Sequence, residues 1–277
     1  MLGEITLTRS GEICVHTYTA PEEGWCVNSH IVETQKALVV VDAQYMLPYA
    51  HEVTAYAAAL GKPIERLYLT HFHPDHILGA VAFACPLFAL DPVATKIAAV
   101  GDRVAREEHE KHGDAIPIRA QRPQRIVPPG VELIDGLRFE FLHLRHAETE
   151  DALMIGLPDH GILITQDLLY NRVHVFIGEH AFDGWTAALQ KTQALDYDIL
   201  LPGHGTAAGP ELYGAMQHYL TVARGAYSKS NDGAELMSWM ITAFPDHRGR
   251  ILLDHQKRFL FPKQREPGHA TSIGSRS

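Results

Sequence analysis

The segment Thr70–His76, THFHPDH, sets His71, His73, Asp75 and His76 within six consecutive positions directly after the apolar run IERLYL. Histidine nitrogens and carboxylate oxygens are the donors that hold zinc or iron, so this spacing points to a metal site. In an extended segment His71 and His73 leave the same face and can grip one ion, while a turn at Pro74 directs Asp75 and His76 toward a neighbouring position. A polar loop that only caps the helix behind it would not need four such side chains in six. Two further candidates follow apolar runs far along the chain, Asp167 after GILIT and His204 in LPGHG, and a third cluster surrounds residue 146. Together they exceed the roughly four donors one zinc takes, and so favour two ions sharing a carboxylate and a water. Two adjacent divalent ions bring the pKa of that water toward neutrality and polarise a carbonyl, phosphoryl or sulfuryl oxygen, which makes hydrolysis by a metal-bridging hydroxide the expected reaction. Asp75 is placed to orient that hydroxide and return a proton to the leaving group.

The elements that must carry these donors read as alternating strand and helix. EICVHTYT, WCVNSHIVET and KALVVVDA have strand character, LPYAHEVTAYAAALG has helical spacing with a closing glycine, and IERLYLT is a strand again. DHILGAVAFA reads as a short helix, PLFAL as a strand, and DPVATKIAAVGDRVAREEHEKHG as a long amphipathic helix with Asp91 as its cap. Within it, REEHEKHG is not the H-E-x-x-H metal pattern and reads as a solvated helix end. From 124 to 165 helices give way to consecutive strands, a second sheet-rich half. A helix around DGWTAALQKTQALD and a strand DILLP lead to GHG, and 210–245 is helical in pattern. Strand-end loops converge on one sheet edge, which is where donors distant in sequence can meet.

Composition bounds the remaining classes. The chain has 277 residues, 46% of them hydrophobic and 21% charged, enough for a sizeable core. No apolar run is long enough to span a bilayer, and the N-terminus MLGEITLTRS lacks the pattern of a secretory leader, so no membrane association and a cytoplasmic location are expected. Cys14, Cys26 and Cys85 form no C-x-x-C pair and read as packed thiols of a reducing compartment. A formal charge of −9 argues against a nucleic-acid partner and leaves a small-molecule substrate, with a homodimer allowed.

THFHPDHILGA resembles the H-x-H-x-D-H signature of the metallo-β-lactamase superfamily, and the order of HFHPDH, Asp167 and LPGHG is similar to that family across roughly residues 12–206. The resemblance implies an αββα sandwich, two mixed sheets face to face with helices outside, as residues 1–206. It implies a substrate-shaping helical extension in 207–262, and 263–277 reads as a flexible tail. By position it implies that His71 and His73 bind one metal, that Asp75, His76 and His204 bind the other, and that Asp167 bridges them. Zinc is the first choice, with iron or manganese as alternatives. The chain departs from the family at the third ligand of the first metal, where LRHAETEDALMIGLP replaces a His-Thr-x-Gly pattern. Glu148 is aligned with that position, has a following Thr and lies 19 residues before Asp167, as in the alkylsulfatase branch; His146 offers the more usual ligand type. A bridging Asp167 resembles thioesterase, lactonase and phosphodiesterase members rather than true β-lactamases. The expected activity is hydrolysis of a small ester, thioester, lactone or sulfate ester, with a mono-iron persulfide dioxygenase or a non-catalytic metal-binding relative as alternatives. Tyr170 and His174, with His180, are the candidates for substrate contact at the cleft mouth.

Overall fold

The computed structural model describes residues 1–262, so the tail reading of 263–277 lies outside the described residues. The chain opens with an antiparallel run of β1 (Glu4–Ser10), β2 (Ile13–Thr19), β3 (Asn28–Glu33) and β4 (Leu38–Val41). Helix α1 (Leu47–Ala59) then returns the chain to β5 (Ile64–Tyr68), parallel to β4. The short α2 (Pro74–Ile77) and one further turn precede β6 (Leu87–Ala89), and α3 (Asp91–His112) leads to β7 (Arg125–Ile126), which completes a seven-stranded mixed sheet in sequential order. The second sheet has five strands: β8 (Gly130–Ile134), β9 (Leu137–Arg145), β10 (Asp151–Leu157) and β11 (Ile162–Asn171) are antiparallel, and after α4 (Phe182–Gln193) the strand β12 (Ile199–Gly205) joins parallel to β11. Helices α5 (Glu211–Lys229), α6 (Gly233–Ala243) and α7 (Arg250–Leu260) follow, α5 packing on β11 and α7 on the turn at Glu22–Gly24.

The sheets stack face to face with helices outside, an αββα sandwich. Apolar side chains from both inner faces fill the space between them, including Val32, Val39, Val41, Phe139, Ile155 and Ile164, all fully buried. Polar ties cross the same interface: His30 of β3 meets the Pro202 carbonyl of β12 at 3.0 Å, and Asn28 donates to it at 2.9 Å. Among the described residues no helix is long and apolar enough to cross a membrane.

Several sequence expectations change on this frame. Residues 4–10 form an edge strand that the polar alternation of EITLTRS did not announce. The cap of α3 is Leu90 and no side chain caps it; Asp91 sits one position inside, where its charge still complements the helix N-terminus. Gln124–Ile126 does not begin the second sheet but ends the first, since β7 pairs with β6. The end of α3 is not wholly solvated: Glu108 extends the buried stripe Val93, Ile97, Gly101, Ala105, a spacing of three to four residues that the sequence displays. Its carboxylate accepts from Tyr45 Oη at 2.6 Å and pairs with Lys111 at 2.6 Å, which compensates its burial.

Candidate metal centre

Beyond β5 the chain bends at His71 and Phe72 and reaches His73, whose extended φ of −120° precedes α2, begun by Pro74. Asp42, just past β4, fixes this segment. Its carboxylate accepts the Thr70 N–H at 2.8 Å, the Thr70 hydroxyl at 2.7 Å, His76 Nδ1 at 2.7 Å and, from β11, the Gln166 side-chain amide. Asp167 does not lie at a strand end, as the sequence suggested, but within β11 at an irregularity where the pairing with β12 shifts. Gln166 takes a left-handed φ of 46° there. Successive strand side chains normally leave opposite faces, yet Gln166 reaches Asp42 while Asp167 reaches His76, the partner of Asp42, so the irregularity is what aims Asp167 into the site. His204 likewise lies inside β12. Gly203 beside it is required by close approach: a Cβ there would lie 1.8 Å from Asp167 Oδ1.

Two donor clusters result, sharing Asp167, and in each one atom per residue lies within 4.8 Å of the others. The first joins His71, His73, Glu148 and Asp167: His71 Nε2 is 3.1 Å from His73 Nδ1 and 3.8 Å from Asp167 Oδ2, and His73 Nδ1 is 3.3 Å from Glu148 Oε1. The second joins Asp75, His76, Asp167 and His204. His76 Nε2 is 3.2 Å from Asp167 Oδ1, and His204 Nε2 is 3.3 Å from Asp167 Oδ2 and 3.4 Å from Asp75 Oδ2. The outward nitrogens are held from behind: His76 Nδ1 by Asp42, and His204 Nδ1–H by donation to the Trp25 carbonyl at 2.9 Å, which turns its Nε2 lone pair inward.

The chemistry of this set fits a cation. Glu148 Oε1 and Oε2, Asp167 Oδ1 and His76 Nε2 are buried without a hydrogen-bond partner among the described residues, and they face one another. Buried lone pairs and charges left so are costly, and a divalent ion satisfies them together. Without one, the groups polarise into an alternating set. Burial pushes Glu148 well above the usual carboxylate range, reinforced by Asp167. Burial acts the same way on Asp75 and Asp167, but His76 and His204 outweigh it and hold both low. Burial opposes the charged form of His204, yet Asp167 and Asp75 bring it up to about 9. Burial likewise opposes the charged form of His76, yet Asp167, Asp75 and Asp42 hold it well above the usual histidine range, so a cation bound here would have to displace protons from both histidines.

A cleft of about 320 Å³ opens onto the clusters through His73, Asp75 and Asp167. Its walls are aromatic and apolar on Trp25, Phe72, Phe176, Leu252 and Phe259, with Lys96, Arg103, Glu107, Glu179, His255 and Arg258 also in the lining. Tyr170 lines it, donates to Asp167 Oδ2 at 2.6 Å and stacks on His204 at 4.5 Å. His174 is elsewhere: fully buried, it meets the Tyr219 hydroxyl at 3.0 Å, because Val173 beside it bridges to Arg248 and draws this stretch under the C-terminal helices. Its expected substrate contact is corrected. His180 is exposed and packs on Tyr227. His146 is corrected as a ligand candidate as well. Its φ of 54° and the His146 N–H to Glu150 carbonyl bond form a tight turn that leaves its side chain exposed and sends Glu148 inward instead. Asp42, Gln166, the cleft-lining His255, and Glu179, whose carboxylate lies 3.7 Å from His73 Nε2, were missed. Asp42 alone carried a signal, an acidic residue closing the apolar run LVVV as Asp167 follows GILIT.

Two mixed sheets sandwiched between helices, with histidines and carboxylates gathered at one sheet edge, define a metal-binding αββα protein. A family model for the metallo-beta-lactamase superfamily matches residues 24–204, and the chain belongs to that superfamily, whose members are generally hydrolytic enzymes that bind metal ions, often zinc. It is 27% identical over 251 residues to a linear primary-alkylsulfatase of Pseudomonas sp. (strain ATCC 19151), an alignment covering 76% of this chain and 46% of that protein. The chain thus spans about half the length of this curated relative. Among solved structures it is similar to a metallo-beta-lactamase from Pontibacter korlensis, with a TM-score of 0.59, 20% identity, and coverage of 79% of this chain and 99% of that one. It is also similar to the FIM-1 metallo-beta-lactamase of Pseudomonas aeruginosa in its mono-zinc form, at 0.58 and 20%, covering 78% and 95%. At these identities the structural likeness speaks for the fold alone.

Proposed function

We propose that the chain is a dinuclear metal-dependent hydrolase of a small-molecule ester, thioester, lactone or sulfate ester, with the sulfate ester of an apolar alcohol as first choice. The observation that carries the reading is the pair of complete donor clusters joined by Asp167. His71, His73 and Glu148 would hold one divalent ion, Asp75, His76 and His204 the other, and Asp167 both. When bound, such ions supply Lewis acidity and lower the pKa of water toward neutrality. Asp75, kept ionised by His76 and His204 despite its burial, faces the cleft and accepts the proton of the attacking water, then returns it to the leaving oxygen or sulfur. Tyr170, its hydroxyl kept protonated by burial and by Asp167, orients the shared carboxylate. The aromatic walls take an apolar alcohol or acyl part by exclusion of water. Glu148 in place of a histidine and the likeness to an alkylsulfatase favour the sulfate ester over the other three bonds.

The test is metal content and turnover of zinc-loaded protein on a panel of sulfate, carboxylate, thiol and cyclic esters of matched chain length. About two ions per chain are expected at this centre, and metal content should fall in both His71→Ala and Asp167→Ala together with turnover. Full activity in either variant would remove the assignment. An absorption spectrum of the purified protein separates a zinc hydrolase from an iron oxygenase of the same fold.

A further inference from the structure

A second group of unlike donors lies on the far side of the first sheet, under α1. Thr17 of β2 bonds His30, which reaches across to the second sheet, so its neighbours Cys14, His16 and Tyr18 point the other way. Cys14 and His16 thus share one face two residues apart, and Glu33 of β3 stands directly opposite Cys14 in the strand register. One atom from each, a thiol sulfur, an imidazole nitrogen and a carboxylate oxygen, lies within 4.8 Å of the other two.

We propose that Cys14, His16 and Glu33 bind one zinc-class divalent cation, separate from the centre at the sheet edge. The converging atoms are free to do so because the remaining ones are anchored. His16 Nε2 is 3.1 Å from Glu33 Oε2, while its Nδ1 meets the Tyr56 hydroxyl of α1 at 2.8 Å and Glu33 Oε1 meets Lys62 at 2.9 Å. A histidine fixed through one nitrogen and presenting the other is how metal-binding imidazoles are oriented. The Cys14 sulfur is the telling member: the residue is 4% exposed, and its thiol has no hydrogen-bond partner among the described residues. An ion-pair network tying α1 to the sheet would account for His16, Glu33 and Lys62 but gives that sulfur nothing to do. Thiolate, imidazole and carboxylate together select zinc or cobalt over magnesium or calcium, and three protein ligands leave a fourth position on the open, Glu33 side. Binding releases the thiol proton to solvent and forms the sulfur–metal bond with no change of oxidation state.

Cobalt(II) reads this site selectively. The donors at the sheet edge are nitrogen and oxygen, and Cys26 and Cys85 belong to no donor cluster among the described residues, so a thiolate-to-cobalt absorption band in the near ultraviolet reports Cys14. Metal-free full-length protein titrated with cobalt should show the band, and Cys14→Ser should lose it together with about one cobalt per chain. Glu33→Gln, which preserves shape, should raise the cobalt concentration needed by about tenfold or more, and circular dichroism confirms that each variant is folded. Absence of the band from the wild type at excess cobalt, or its persistence in Cys14→Ser, overturns the proposal.

Discussion

Replacing Asp42 by Asn tests whether the metal centre is organised from behind. The Asp42 carboxylate accepts four hydrogen bonds at zero exposure, from Thr70 N–H, the Thr70 hydroxyl, His76 Nδ1 and the Gln166 amide. Asparagine keeps one oxygen and puts an NH₂ where three of those donors converge. The Thr70 hydroxyl can rotate to accept from it. His76 can adapt only by giving up its Nδ1 proton, which confines the remaining proton to Nε2, the atom 3.2 Å from Asp167 whose lone pair a metal would need. Hydrogen bonds to a buried charge are worth about 1.5–3 kcal/mol each, so two that cannot be remade imply a loss of roughly 3 kcal/mol or more in the metal-free protein. Loss of an outer partner of a ligating histidine typically weakens metal binding 10–100-fold, or about 1.4–2.7 kcal/mol, and here the weakened ion is the one served by His76. Urea unfolding after chelation gives the first quantity, and competition with a chromophoric chelator gives the second. An Asp42→Asn protein with the wild-type unfolding midpoint and two wild-type metal affinities would refute the reasoning.

Three further outcomes are expected. Glu148→Gln should remove about one metal equivalent and most turnover, whereas exposed His146→Ala should leave both unchanged and shift stability by no more than about 0.5 kcal/mol; metal analysis beside an activity assay checks the contrast. Gly203→Ala should displace the Asp167 carboxylate it would otherwise touch, at a cost of roughly 1–3 kcal/mol from overpacking and a fall in metal content, measured by thermal unfolding and elemental analysis. Burial lowers His30 from the ordinary histidine value of about 6.5 to about 4, so it stays neutral in the fold near pH 7. The unfolded chain binds its proton first, so stability should fall as pH drops from about 6.5 to about 4, by roughly 3 kcal/mol in all, and level off below. His30→Gln should flatten that part of the pH–stability curve measured in urea.

What the sequence revealed was set by locality. HFHPDH is a contiguous motif, and its four donors stand in two clusters as the alternation and the turn at Pro74 suggested. The apolar runs gave β2 to β6 because they are short and mostly buried on both faces, and the long helices because their burial repeats every three to four residues. The choice between His146 and Glu148 was not legible, since it depends on one left-handed residue in the turn, a conformation that no flanking glycine announces. His174 failed for a related reason: nothing near it in the chain announces that α5 will cover it with Tyr219. Glu108 was misjudged with its signal in view, because charge was weighed above its place on the apolar stripe.

The anchor of His204 is the carbonyl of Trp25, 179 positions earlier, and Gln166 reaches back 124 positions to Asp42. The four donors of the second cluster span residues 75–204, so that cluster is complete only once β12 has been synthesised and has closed against β3. An ion that needs all four donors would then be captured late in biosynthesis, after β12 has joined β11.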